Sequence, residues 1–329
     1  IKKNNKFEIF FCDSDRIEVD FLKGNGFNIE FVESAESVDQ VSYITSINKL
    51  VIKWKIDFIL PASDMEAIYL KKSFLGDQTI SADLATCEIC INKFETLNML
   101  KNKVKNKINY FKIDTSADIT KLITLSKKKK YCIKPLKGRG ARGFYYIKKE
   151  RNFSKSSSEE LAHLITIAEL SKIKKEQPYI LYGFLCMEYI EGQDYNIDLS
   201  TNKGEILDIC IQRRDKPLHG PITQGIVEEN HKIYKFLQNL VKVNHMSGVL
   251  NIELILDNFG LESIPKIYEI NPRISAAISF TELFCPSYIE RAIFALQGKK
   301  IRPREFSKQS FGKIKRIWGN QVLEETKSN

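Results

Sequence analysis

Two short stretches late in the chain carry the residues best suited to hold a cation. They are Asn251-Ile252-Glu253-Leu254-Ile255-Leu256-Asp257 and Tyr268-Glu269-Ile270-Asn271-Pro272-Arg273. Side chains alternate across a strand. Asn251 and Glu253 therefore share one face of the first stretch, and Leu250, Ile252, Leu254 and Leu256 share the other. In the second stretch Glu269 and Asn271 lie opposite Tyr268 and Ile270. The connecting Asn258-Phe259-Gly260 contains turn residues, which predicts an antiparallel hairpin with an extended loop. Two carboxylates and two amides then converge on one sheet surface. Hard oxygen donors grouped this way suit magnesium, which in turn bridges nucleotide phosphates. A solvated polar face on a half-buried sheet is the other reading these residues allow.

Lys134-Pro135-Leu136-Lys137-Gly138-Arg139-Gly140-Ala141-Arg142-Gly143 is a second candidate. Its closely spaced glycines let backbone amides approach a phosphate, and the flanking cations add charge. No Gly-Lys-Ser/Thr leads into a helix, so it is not a P-loop; a glycine-rich hairpin tip explains the residues as well. A third candidate is Met187-Glu188-Tyr189-Ile190-Glu191-Gly192-Gln193-Asp194-Tyr195-Asn196-Ile197-Asp198. Here one strand ends at a glycine and another begins, with Asp194, Asn196 and Asp198 on one face. Such a connector can offer backbone groups to an adenine edge and a carboxylate to a ribose.

The elements that must position these residues read as a mixed α/β protein. Residues 7–12, 29–32 and 56–60 look like strands of a parallel sheet, with a helix over 41–53 and a further short strand at 80–82. Helices are expected over 87–100 and 161–175, the second capped by Ser156-Ser157-Ser158-Glu159 and ended by Pro178. Strands follow at 131–134, 184–190, 195–199, 206–213, 249–256, 266–271 and 311–317, with helices near 230–245 and 287–297.

Taken in order and spacing, these segments resemble the ATP-grasp superfamily, and most of all the short stand-alone relatives of the carbamoyl-phosphate synthase large subunit. The likeness covers nearly the whole chain. It runs from Pro61-Ala62-Ser63-Asp64-Met65-Glu66 through the stretch beginning Asn92-Lys93, the glycine-rich segment, Met187 to Asp198, and the two acidic strands. It implies an α+β ATP-grasp fold: a Rossmann-like pre-ATP-grasp domain over 1–85, a first lobe with the lid over 86–185, and a second lobe over 186–329. The first residue is Ile rather than Met, and the nucleotide fold lacks its opening strand and glycine turn, so further residues are expected upstream.

The resemblance also implies roles. Lys93 and Lys134 would contact ATP phosphates, with Asn92 standing where the family has Asp. Gly138, Gly140 and Gly143 would belong to the lid over the triphosphate. Backbone groups of Glu188 and Ile190 would read the adenine, and Asp194 the ribose. Glu253, Glu269 and Asn271 would hold magnesium, or manganese in its place. Arg273 would face the transferred phosphoryl group or the substrate carboxylate. Relatives often place a catalytic arginine where Arg213 and Arg214 end a strand, and alternation with Asp208 and Gln212 favours Arg214. Cys210 and His219 would lie in the same region, although a histidine in that loop is more often simply exposed. Bicarbonate-phosphorylating relatives carry a second arginine shortly after the Asn-Pro-Arg motif. Ile274-Ser275-Ala276-Ala277 stands there instead, which favours an organic carboxylate.

The expected activity is ATP- and magnesium-dependent joining of a carboxylate to an amine through an acyl phosphate, with ADP and phosphate released. A non-catalytic ATP-binding regulatory protein is the alternative. Composition is ordinary for a globular chain of 329 residues, with 43% hydrophobic and 28% charged residues. The net charge of +10 admits nucleic-acid binding but fits a lysine-rich solvated surface better. No apolar run reaches membrane-spanning length. Seven scattered cysteines, including the Cys87/Cys90 pair, fit reduced thiols in a cytoplasmic protein rather than a disulfide framework or zinc site. The expected partners are thus the two small-molecule substrates, without nucleic acid or membrane, and the resemblance admits a homodimer.

Overall fold

A computed structural model describes residues 7–24, 26, 28–32, 39–137, 143–150, 163–215, 224–257, 263–308 and 310–316. Near the start, β1 (Phe10–Asp13) pairs in parallel with β2 (Asn28–Phe31) across α1 (Arg16–Gly24). Helix α2 (Gln40–Trp54) follows, with Asp39 accepting from the amides of Val41 and Ser42 and Lys55 closing it in the left-handed region. The strands expected at 56–60 and 80–82 do not form. Only an isolated parallel bridge joins Ile59 to Thr79. Pro61 lacks the amide that would extend the pairing.

Ser63 and Glu66 make a reciprocal capping box that starts α3 (Asp64–Lys71). The single helix expected over 87–100 is two, α4 (Leu84–Cys90) and α5 (Lys93–Val104). The Asn92 side chain accepts from the Phe94 amide, so a new helix begins one residue later, at Lys93. Cys87 and Cys90 are both buried on α4. Burial pushes the Cys87 thiol up to about 12, which makes it inert packing at neutral pH.

The middle sheet has the order β3-β7-β4-β5-β6. It comprises β3 (Tyr110–Ile113), β4 (Tyr131–Pro135), β5 (Tyr145–Lys148), β6 (Leu164–Thr166) and β7 (Phe184–Glu188), with α6 (Ser116–Ser126) between β3 and β4. Helix α7 (Ile167–Glu176) begins later than expected because Thr166 and Glu169 form its capping box, while Leu164 and Ile165 pair in parallel with β5. The cap expected at 156–159 lies outside the described residues. Strand β7 crosses residue 185, so the lobe boundary set there falls inside a strand of this sheet.

The largest sheet has the order β12-β11-β8-β9-β10-β13 and is antiparallel throughout. Its strands are β8 (Gly192–Asn202), β9 (Glu205–Arg214), β10 (Gln224–Val227), β11 (Gly248–Asp257), β12 (Pro265–Asn271) and β13 (Gly312–Lys315). Helix α8 (His231–Val243) precedes β11, and α9 (Ile278–Phe284) and α10 (Tyr288–Leu296) follow β12. One face of this sheet, through Ile197, Leu199, Ile211, Ile252 and Leu254, packs with Leu97 and Leu100 of α5 and Leu237 and Leu240 of α8. On the opposite face Cys210 and Val249 pack with Phe280, Tyr288 and Ile293. The remainder of that second face is polar.

Residues 80–83 tie the first part of the chain to this sheet. Ala82 donates its amide to the Pro272 carbonyl (3.0 Å), and Asp83 to that of Ser247 (2.8 Å). The approach is so close that a Cβ on Gly248 would come within 2.0 Å of the Ser81 carbonyl oxygen.

Candidate functional site

The two acidic strands pair antiparallel, with Asn251 opposite Asn271 and Glu253 opposite Glu269. On the other side of β11, Asn251 faces Asp198 and Glu253 faces Asn196 across β8. Asn196 and Asp198 in turn face Gln212 and Cys210 of β9. Alternation thus carries one polar face across four adjacent strands.

A bulge between Glu253 and Leu254 breaks the strict alternation on β12. The sequence placed Tyr268 opposite Glu269. In the structure its hydroxyl lies 2.9 Å from Glu253 Oε2 and 3.0 Å from Asp194 Oδ1, on the polar face. A bulge re-aims a side chain in this way. Asn106, just beyond α5, pins the irregularity: its Nδ2 donates to the Ile267 carbonyl (2.9 Å), and its Oδ1 accepts from the Ile267 amide (3.0 Å). Neither Tyr268 nor Asn106 was picked out by the sequence, because alternation cannot foresee an inserted residue.

Charges from both larger sheets meet over β12. Lys134, buried on β4, donates to Glu269 Oε2 (3.0 Å) and to the Tyr268 carbonyl (3.1 Å). Lys93 Nζ stands 3.8 Å from Glu269 Oε1. Its own amide donates to the Leu136 carbonyl (3.0 Å), which holds the start of α5 against the end of β4. Burial alone would raise the Glu269 carboxyl, but Lys93 and Lys134 outweigh it and hold the group at about 2.

Arg214 is buried and reaches Asp194 Oδ2 (3.1 Å) and Glu253 Oε1 (3.4 Å). Arg213 is half-exposed and lies 3.5 Å from Glu228, on the opposite side of β9. Of this pair, Arg214 alone touches the acidic cluster. Burial pushes the Asp194 carboxyl up to about 6 against the pull of Arg214, with Glu253 adding to the rise. Arg273 Nε lies 3.0 Å from Asp64 Oδ1, so the Asn-Pro-Arg turn is joined to the first turn of α3.

The adenine-edge expectation meets one constraint. The Glu188 amide donates to the Asn109 carbonyl (2.8 Å), which leaves its carbonyl as the backbone group able to face a base. The Glu188 carboxylate is held by Lys129 (3.0 Å) and the Asn109 amide. Ile190 is buried just beyond β7. Gly192 sits where a Cβ would come within 2.4 Å of the Leu256 carbonyl oxygen, so close strand approach accounts for that glycine. Gly143 has φ +71, a value suited to glycine. Gly138 and Gly140 lie outside the described residues, as does His219. Cys210 is fully buried beneath α9 and α10, in the apolar cluster.

The stretch after Arg273 is approached by one arginine from the far end of the chain. Arg316 Nη2 donates to the Ala276 carbonyl (2.7 Å), and its guanidinium lies over the Phe280 ring. A separate cavity of about 940 Å³ is lined by Lys101, Lys105, Lys107, Lys121, Lys128 and Lys129; it also includes Asn106 and Asn109 but none of Lys93, Lys134, Asp194, Arg214, Glu253, Glu269, Asn271 or Arg273.

The donor set fits a magnesium–nucleotide complex. Glu253 and Glu269 are hard oxygen donors on neighbouring strands, and Asn271 gives its Nδ2 to Asn251 (3.0 Å), leaving Oδ1 for a cation. Magnesium characteristically takes one or two carboxylates and completes its shell with water and phosphate oxygens. Among the described residues no three His, Cys, Asp or Glu cluster tightly enough for an all-protein cage. The cations around Glu253 and Glu269 balance these carboxylates within the protein.

Comparison with known proteins agrees with this geometry. Residues 182–316 match the family described as ATP-grasp in the biosynthetic pathway with Ter operon. No curated protein matches the chain. Among solved structures, L-amino acid ligase from Bacillus licheniformis is 16% identical, with a TM-score of 0.55 over 89% of this chain and 76% of that one. Phosphoribosylamine–glycine ligase from Thermotoga maritima is 17% identical, with a TM-score of 0.57 over 90% and 77%. The biotin carboxylase domain of Hydrogenobacter thermophilus 2-oxoglutarate carboxylase, in complex with ADP, its magnesium salt and bicarbonate, is 14% identical. Its TM-score is 0.62 over 90% of this chain and 71% of that one. The arrangement of sheets, the acidic hairpin and these likenesses together establish the fold of the chain as that of the ATP-grasp superfamily.

Proposed function

We propose that this chain is an ATP- and magnesium-dependent carboxylate–amine ligase. The observation that carries the reading is the meeting of Lys93 and Lys134 with Glu269, beside a Glu253 held by Arg214. Five charged groups from separate elements converge there, more than a solvated sheet face needs. Two of the similar structures are an L-amino acid ligase and a phosphoribosylamine–glycine ligase, which supports the same class of chemistry.

In this reading Lys93 and Lys134 would contact phosphate oxygens, and Glu253, Glu269 and Asn271 Oδ1 would hold magnesium. Bound magnesium supplies charge neutralisation for in-line phosphoryl transfer. A substrate carboxylate oxygen attacks the γ-phosphorus and ADP leaves. An amine then attacks the acyl carbon, phosphate leaves with the bonding pair, and the nitrogen gives up a proton to solvent. Arg273 and Arg214 would stabilise charge on the transferring group. Asp194 and the backbone at Glu188 and Ile190 would hold the nucleoside, and the glycine-rich segment with Gly138, Gly140 and Gly143 would cover it. An organic acid is the proposed substrate, because Ile274-Ser275-Ala276-Ala277 follows Arg273 where bicarbonate-phosphorylating relatives carry a second arginine. Seven unbridged cysteines support a reducing cytoplasmic setting.

The magnesium requirement of acid-dependent ADP release tests this. Glu253→Gln and Glu269→Gln should each raise the magnesium concentration for half-maximal rate. Equal dependence in wild type and both variants would remove the hairpin from the metal site.

A further inference from the structure

Asn271 offers one oxygen and one NH2, and only the oxygen can ligate a cation. Which atom is presented is fixed by the partners of the amide. Asn271 Nδ2 donates to Asn251 Oδ1 (3.0 Å). Asn251 in turn shows its oxygen to Asn271 because acceptors surround its own nitrogen. Asn251 Nδ2 has Asn196 Oδ1 at 2.9 Å, the Ile197 carbonyl at 3.2 Å and Asp198 Oδ1 at 3.3 Å.

Asp198 closes the chain. It is buried on β8, and its other oxygen accepts from Ser275 Oγ (2.9 Å), Gln212 Nε2 (3.3 Å) and the Thr281 hydroxyl. Ser275 and Thr281 follow the Asn-Pro-Arg turn, so the carboxylate also fastens the segment that leaves the site. A side chain that collects donors on both oxygens imposes a single direction on the amides it faces. An isosteric amide at 198 would supply a donor as well as an acceptor, and the sense of Asn251, and with it Asn271, would no longer be set.

We propose that Asp198 is a positioning residue that, through Asn251, turns the Asn271 oxygen towards the metal-binding face. This rests on the metal reading given above. It assigns a function to a fully buried carboxylate that is not among the proposed metal ligands. Partners behind a metal ligand are worth about 10–100-fold in metal affinity.

The test is manganese binding, followed by electron paramagnetic resonance in the presence of a non-hydrolysable ATP analogue. Asp198→Asn should raise the manganese Kd about 10-fold or more, with the metal-free melting temperature near that of wild type. Asn251→Ala cuts the same relay at its middle link and should give a comparable rise, which keeps the test open if Asp198→Asn does not fold. The exchange variant Asp198→Asn/Asn251→Asp restores an acceptor facing Asn271 and should return the Kd towards wild type. Wild-type manganese affinity in either folded single variant would overturn the assignment, as would an exchange variant that folds but does not recover. Glu269→Gln serves as the reference for the site itself. If it too binds manganese as wild type does, the metal reading fails; if it weakens binding while Asp198→Asn and Asn251→Ala do not, only the relay fails.

Discussion

Arg273 Nε and Asp64 Oδ1 stand 3.0 Å apart, so the residue closing the Asn-Pro-Arg motif is held by the first turn of a helix some two hundred residues earlier. The contact is one of charge, since neither atom has an aligned hydrogen-bond partner. Burial pushes the Asp64 carboxyl up, against the pull of Arg273. The pairing also accounts for the Pro61 to Glu66 stretch: Ser63 and Glu66 cap the helix, and Asp64 restrains Arg273. Asp64→Asn should therefore destabilise the protein by about 1–3 kcal/mol, the range for losing a charged partner in a buried contact. Urea denaturation measures this, and unchanged stability would make the pair incidental.

Lys134 donates to Glu269 and, in the proposed function, would donate to phosphate. Lys134→Met should weaken Mg-ATP binding by ~1.5–3 kcal/mol, as expected for a charge-assisted contact. Calorimetric titration of the folded variant reads this directly. An unaltered affinity would place the triphosphate elsewhere.

The Glu269 carboxyl, held at about 2 rather than its ordinary 4.5, links this site to acid stability. A carboxyl lowered by folding contributes stability that is fully present above the unfolded value and is lost as pH falls through the folded one. The shift corresponds to at most ~3 kcal/mol, and side-chain exposure of 20% makes the realised figure smaller. Glu269→Gln should thus be less stable than wild type at pH 7, and the gap should narrow between pH 4.5 and 2. A gap that stays constant over that window would show that the lysines do not act through this carboxylate.

How much of this was legible in the sequence follows from periodicity. Opposed Glu253 and Glu269, the face shared by Asn251 and Asn271, and the choice of Arg214 over Arg213 as the arginine beside them are consequences of strand alternation. The break at Asn92, the late start of α7 and the absent strand at 56–60 were not legible. Each is decided by one cap or one missing amide that competes with an apolar pattern of the right length. The bulge at Tyr268 was hidden for another reason, because it depends on Asn106 arriving from a distant segment. Arg316 likewise reaches Ala276 only through tertiary contact.

Tyr268 offers a test of that bulge. Its hydroxyl hydrogen-bonds Asp194 and lowers a carboxyl that burial raises, the balance of all its neighbours leaving it at about 6. Removing a donor from a carboxylate raises its pKa further. In Tyr268→Phe, carbon-13 NMR titration of Asp194 should give a midpoint above that of wild type. A midpoint equal to or below it would contradict the position of the side chain.

The central claim is that the site activates a carboxylate, and trapping the activated acid tests it most directly. A carboxylate is a poor electrophile because its leaving group would be oxide, and phosphorylation supplies a better one. A nucleophile stronger than water should therefore capture the intermediate. Supplied with Mg-ATP, hydroxylamine and a panel of amino and sugar acids, the protein should form a hydroxamate with one acid far above the rest. ADP release should rise with that same acid and little with bicarbonate. Tight Mg-ATP binding without hydroxamate or acid-dependent ADP across the panel would contradict the ligase account and favour a nucleotide-binding regulator.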